Sequence, residues 1–189
     1  MSLLNRFAPL SFVLVSASAF AVAHPPATLQ GVDLSAGTKK EVSLAKSTKP
    51  TVVIFMSSKC PCSKSHEAEL KAMATEFPGA QFVGVQSNSD ETEAKGMEHF
   101  KSAALGFPVI HDPKSKIADS FGAEKTPHVY IVAAGGKEVI YQGGVTDAHR
   151  ANQAKVFYLK ETLAALAQGK KVPQAETKAL GCYIKRPGA

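Results

Sequence analysis

The chain predicts an α/β fold in which helices flank a central mixed β-sheet, and three features of the sequence carry that expectation. Strand-like and helix-like segments alternate from Thr51 to Val132. The run Thr51 to Phe55 (TVVIF) is continuously β-branched, apolar or aromatic, as suits a central strand buried on both faces. A glycine-turned hairpin and an amphipathic helix then close the pattern, which argues for layered packing around a sheet with both parallel and antiparallel neighbours. With 189 residues, 44% hydrophobic and 20% charged, the chain suits one domain with one core.

The elements follow in order. Arg6, the apolar stretch Phe12 to Phe20 and the small-residue site Ala21-Val22-Ala23 read as an export signal over residues 1–23, with a mature start at His24. That stretch is short for a membrane span, and nothing later approaches about eighteen unbroken apolar residues. The mature chain is therefore expected to be soluble, with no membrane span, and periplasmic or secreted from a bacterium. A domain over residues 24–170 begins with short strands near Thr28 to Leu34 and Glu41 to Leu44, followed by the strand at Thr51. A helix from Pro61 to Phe77 carries Cys62, His66, Leu70, Met73, Ala74 and Phe77 at three- and four-residue spacing and ends at Pro78-Gly79.

Gln81 to Gln86 is a second central strand, Glu91 to Leu105 a helix, and Val109 to His111 a short strand. A short helix over Ser115 to Phe121 leads to Thr126-Pro127. The strands His128 to Val132 and Glu138 to Tyr141 then form a hairpin across Gly135-Gly136. A last helix is expected over Ala148 to Gln168, with Val156, Leu159, Leu163 and Leu166 on one stripe and Gly169 as its stop. Residues 171–189 form a C-terminal tail that carries Cys182.

Export changes the meaning of the cysteines, because thiols outside the cytosol persist only when paired, metal-bound or kept reduced. Cys60, Cys62 and Cys182 cannot all pair within one chain, and two cysteines one residue apart suit a structural framework poorly. Redox chemistry or metal binding gains weight. The formal charge of +6 is spread as single lysines among acidic residues, without a basic block or interleaved aromatics, which argues against nucleic acid as a partner.

Pro61 places Cys60 at a helix N-cap, because proline suits the first helical position. Free backbone donors and the positive end of the helix dipole favour the thiolate there, with Lys59 and Lys64 as further support. Cys60 is the candidate attacking thiol. Cys62, on the stripe with His66 and Leu70, is expected to be more buried and less acidic, as a resolving thiol or a core residue. His66 reads more readily as a packed core histidine than as a metal ligand.

The segment Phe55 to Ser63 (FMSSKCPCS) after a buried strand, with Thr126 to Ile131 (TPHVYI) far downstream, resembles the thioredoxin superfamily. It is most similar to the redoxin branch related to alkyl hydroperoxide reductase and thiol-specific antioxidant proteins, over roughly Thr28 to Gln168. The segment Tyr141 to Asp147 and the ending Thr177 to Lys185 resemble parts of some bacterial redoxins. The resemblance implies a thioredoxin-like three-layer fold and a cis proline at Pro127 beside the reactive cysteine. It also implies a substrate-binding role for Thr126 and Pro127, through the backbone before the proline. Two departures stand out. Ser63 occupies the place of the second cysteine in a C-x-x-C pair, and Val53 stands where a peroxiredoxin carries a proline, although Ser57 lies three residues before Cys60 as it should.

The leading expectation is an exported thiol-dependent oxidoreductase or peroxiredoxin-like antioxidant protein. Cys60 attacks a protein disulfide or a peroxide, Cys62 or Cys182 resolves the product, and an exported thiol supplies electrons. No cofactor is called for. The alternative is a copper(I)-binding or copper-delivery protein using Cys60, Cys62 and one of His66, His111 or His128. A third possibility keeps the fold and uses the cysteines as a structural clip.

Overall fold

The computed structural model describes residues 25–188; the expected export segment and His24 lie outside the described residues. Strands β1 (Thr28–Asp33), β2 (Thr38–Ser43), β3 (Thr51–Met56), β4 (Gln81–Gln86), β5 (Val109–His111), β6 (Lys125–Thr126), β7 (His128–Val132), β8 (Val139–Gly143) and β9 (Cys182–Tyr183) alternate with helices α1 (Pro61–Glu76), α2 (Glu93–Ala103), α3 (Lys116–Phe121) and α4 (Tyr158–Ala167). Seven strands form one sheet in the order β2-β1-β5-β4-β3-β7-β8, and β6 pairs with β9 in a separate ribbon.

The centre of the sheet is the strand that the apolar run predicts. All six residues of β3 are buried. It runs parallel to β4 and antiparallel to β7, so the sheet is mixed as expected. Strand alternation divides its side chains between two cores. Val52, Ile54 and Met56 pack with Leu70 and Met73 of α1, Phe100 of α2, and Leu159 and Leu163 of α4. Val53 and Phe55 join Val83, Val85, Tyr130 and Phe121 of α3 on the opposite face. Helices therefore cover both faces, giving the three-layer α/β arrangement. Because β3 is locked on both sides, the chain leaving it at Met56 has a defined position.

Two expectations are corrected. The last helix begins at Tyr158 rather than Ala148, and Ala151–Gln153 form only a 3₁₀ turn. The Asp147 carboxylate accepts the N–H groups of Lys155 and Val156 at 2.8 and 3.0 Å, and the Asp147 N–H donates to the Val156 carbonyl at 3.1 Å. These bonds close residues 147–156 into a loop. Val156 thus belongs to the loop closure and not to the helical stripe.

The tail that carries Cys182 is docked. The Gln142 N–H donates to the Ala175 carbonyl at 2.9 Å, the Gln142 carbonyl accepts the Thr177 N–H at 3.0 Å, and the Thr177 hydroxyl lies 2.8 Å from the Tyr141 hydroxyl. Strand β9 pairs antiparallel with β6, and the Ile184 side chain is buried in the core that contains Phe55 and Phe121. The Lys185 N–H donates to Asn88 Oδ1 at 2.9 Å, and Arg186 reaches the Asp119 carboxylate at 2.8 Å. Burial of one isoleucine and these bonds hold the tail in place. Among the described residues, no helix is long and apolar enough to cross a membrane.

Leu70 is fully buried between α1 and the sheet. Leu70→Ala should lower the unfolding free energy by about 2–5 kcal/mol, measured as a lower urea midpoint at unchanged slope.

Candidate active site

The site is built where β3 ends. Ser57, Ser58 and Lys59 carry the chain from the sheet to Cys60, which caps α1 in extended conformation with Pro61 at the first helical position. A buried carboxylate organises this short loop. The Glu91 side chain accepts the hydroxyls of both Ser57 and Ser58 and the Ser58 N–H, the last at 2.8 Å. The Ser57 oxygen in turn accepts the Cys60 N–H at 3.0 Å and the Lys59 N–H at 3.1 Å. The Ser63 hydroxyl accepts the Ser57 N–H at 3.1 Å. Ser63, at the position of an absent second cysteine, therefore acts as a buried backbone anchor.

Cys60 is 3% exposed, while Cys62 and Cys182 are half-buried. The expected burial order is thus reversed. One residue along the helix from Cys62, it is Ser63 that turns inward with His66, Leu70 and Met73. The Cys60 S–H donates to the Thr126 carbonyl at 3.1 Å, across the site and next to the cis Thr126–Pro127 bond. Thr126 is paired on its other side with Cys182 through the β6–β9 ribbon. Gly181 makes this approach possible: a Cβ there would stand 2.0 Å from the Thr126 carbonyl oxygen. The result is a cluster of three sulfurs, from Cys60, Cys62 and Cys182, all within 4.8 Å of one another.

The sulfurs differ in acidity. Burial pushes the Cys60 thiol up, but the donor groups near its sulfur, the Cys182 thiol first and then the Ser63 N–H, outweigh it and leave Cys60 below the ordinary cysteine range. The lysines expected to help do not carry this effect. Lys59 instead holds Asp90, with its ammonium 3.1 Å from the carboxylate. Burial and the neighbouring Cys60 push Cys62 up, so Cys62 is less acidic as expected. Burial and the same neighbour push Cys182 up to about 12. One acidic thiol thus faces two that hold their protons.

The histidines occupy other places. His66 is a satisfied core residue, with Nε2 2.9 Å from the Thr146 hydroxyl and Nδ1 2.8 Å from the Cys62 carbonyl. His111 lies beside Glu93, and burial pulls the His128 ring down to about 4. None of the three joins the sulfur cluster. His149 does approach it, with Nδ1 3.7 Å from the Cys62 sulfur. Sequence reasoning missed His149, since it lies in the segment expected to be helical. It also missed Glu91, which has no local motif to single it out and is paired to the serines only by tertiary contact.

A capping cysteine with raised acidity, set beside Thr126–Pro127 on a layered α/β sheet, is the site of a thioredoxin-like redoxin. The model of the AhpC/TSA family matches residues 23–141, and the chain belongs to that family. The match ends before Cys182. An uncharacterized conserved protein from Geobacillus kaustophilus is 28% identical, with 91% of this chain and 96% of that chain covered and a TM-score of 0.75. A hypothetical protein from Sinorhizobium meliloti 1021 is 23% identical over 90% of this chain and 97% of its own, with a TM-score of 0.77. The peroxidoxin BcpB from Mycobacterium tuberculosis shares the fold at 16% identity and a TM-score of 0.53, covering 78% of this chain and 92% of that chain. No curated protein matches the chain.

Alkylation by iodoacetamide follows the thiolate, so a thiol with a lowered pKa reacts at lower pH than an ordinary cysteine. As pH is raised, the first cysteine of the reduced protein to alkylate should map to Cys60 by mass, with Cys182 reacting only in strong alkali. In Gly181→Ala the added methyl should lift β9 from Thr126. Cys182 should then alkylate at neutral pH at least about tenfold faster than in wild type, the change expected when burial and a neighbouring thiolate are relieved.

Proposed function

We propose that the protein is an exported thiol–disulfide oxidoreductase in which Cys60 attacks and Cys182 resolves. The observation that carries this reading is the sulfur of Cys182 held within 4.8 Å of the acidic Cys60 by the pairing of β9 with Thr126. The Cys60 thiolate attacks one sulfur of a protein disulfide. A Cys60–substrate bond forms, the substrate disulfide breaks, and its second sulfur leaves as a thiolate that takes up a proton. Cys182 then loses its proton, attacks the Cys60 sulfur and releases the reduced substrate, leaving a Cys60–Cys182 disulfide for an exported thiol reductant to reopen.

The order of these steps is supported by the electrostatics. Besides burial, the neighbouring Cys60 is what keeps Cys182 and Cys62 protonated. Once Cys60 is bonded to substrate its charge is gone, and a proton is more easily lost from the resolving thiol. Thr126 and Pro127 are assigned to substrate binding, because the family resemblance places a substrate chain against the backbone that Cys182 pairs with. An entering substrate therefore competes with β9 for Thr126, and the return of β9 brings Cys182 back to the Cys60 sulfur.

Disulfide exchange is favoured over peroxide reduction by the state of Ser57. Its hydroxyl is occupied by Glu91 and by the Lys59 and Cys60 N–H groups, and it makes no hydrogen bond to the Cys60 sulfur. Wild type should catalyse insulin reduction with dithiothreitol, Cys60→Ser should lose activity by at least about 100-fold, and Cys182→Ser should accumulate the mixed disulfide detectable by mass. Equal insulin rates for wild type and Cys60→Ser would overturn the reading, and Cys60-dependent consumption of hydrogen peroxide without insulin reduction would replace it with a peroxidase.

A further inference from the structure

We propose that the reduced protein binds one copper(I) ion in a three-thiolate site formed by Cys60, Cys62 and Cys182. The site uses the sulfurs of the oxidoreductase reading but does not depend on that reaction.

The argument begins with spacing. Thiolate sulfurs bind soft cations at about 2.3 Å, so three sulfurs around one ion in a plane stand about 4 Å apart. The three Sγ atoms already lie within 4.8 Å of one another. They come from three differently anchored places: the cap of α1, its first turn, and β9. A contraction of less than about an ångström closes the set, within the reach of side-chain rotation.

Ligand type selects the metal. The cluster contains thiols alone, and soft thiolates favour copper(I) and zinc over magnesium, calcium or manganese. Zinc in a closed site takes four ligands. His149 lies near Cys62 but outside the group of atoms that are mutually within 4.8 Å, so the preformed set has three members and suits three-coordinate copper(I). The sequence alone suggested two cysteines with a histidine. In the fold Cys182 takes the histidine's place, while His66 is bound to Thr146.

Loading involves no electron transfer. Copper(I) enters, copper–sulfur bonds form, and any thiol protons leave to solvent. The Ser63 N–H, the free donors at the start of α1 and the positive charge of Arg150 near Cys62 offset the negative charge of the loaded site. Oxidation to a Cys60–Cys182 disulfide removes two of the three ligands, so metal binding and disulfide exchange exclude each other.

The test is an anaerobic titration of the fully reduced chain with copper(I) in competition with bicinchoninate, followed by X-ray absorption. One ion per chain, with three sulfur neighbours at about 2.3 Å, is the expected result. Cys182→Ser and Cys62→Ser should each weaken binding by at least about 100-fold, more than loss of an outer-shell partner costs. Cys62 is half-buried at the helix surface, so Cys62→Ser keeps the test decisive if Cys182→Ser undocks the tail. His149→Ala should bind as wild type does. Failure to compete with the chelator, wild-type affinity in Cys62→Ser, or an equal loss in His149→Ala would each overturn the three-thiolate site. A chain that reduces insulin yet retains no copper(I) overturns this proposal and leaves the oxidoreductase reading standing; one that retains copper(I) without reducing insulin does the reverse.

Discussion

The site depends on one short pairing, that of Cys182 with Thr126 between β9 and β6. Without it the described structure would hold a half-buried Cys62 beside Cys60 and nothing opposite. With it, a sulfur from the end of the chain stands across from the helix cap, on the same residue whose carbonyl accepts the Cys60 S–H. Gly181 permits the contact, because any larger residue would collide with the Thr126 carbonyl. Ile184 secures it by entering the core two residues later.

Cys60 is positioned from the other side by a buried carboxylate. Glu91 organises Ser57 and Ser58, and Ser57 organises the Cys60 N–H. The raised acidity of Cys60 thus owes more to the donors facing its sulfur, the Cys182 thiol first among them, than to the lysines around it. Lys59 and Lys185 both turn to Asp90, tying the loop after β4 to the loop before α1 and to the tail. Three segments distant in sequence meet there, and each limits the movement of the others.

This arrangement separates the chain from a thioredoxin while keeping the fold. In a C-x-x-C protein the second sulfur would come from the first turn of the same helix, where Ser63 stands here as a backbone anchor. The sulfur of Cys182 that faces Cys60 here comes from the tail, beyond the residues that the AhpC/TSA family model matches.

The layered fold was legible in the sequence because its signals are local and periodic. The apolar run of β3, the proline start of α1 and the glycine-turned hairpin each reflect a backbone preference that does not need distant partners. Cys60 at the helix cap was legible for the same reason. The docked tail, the shortened α4 and the Glu91 clamp were not, because each rests on hydrogen bonds between residues far apart in sequence or on a side chain closing a loop over itself. Sequence by itself determined which sulfur sits at the helix start. Only the tertiary structure decided which sulfurs stand beside it, since that depends on where a packed isoleucine and a glycine's close approach fix the end of the chain.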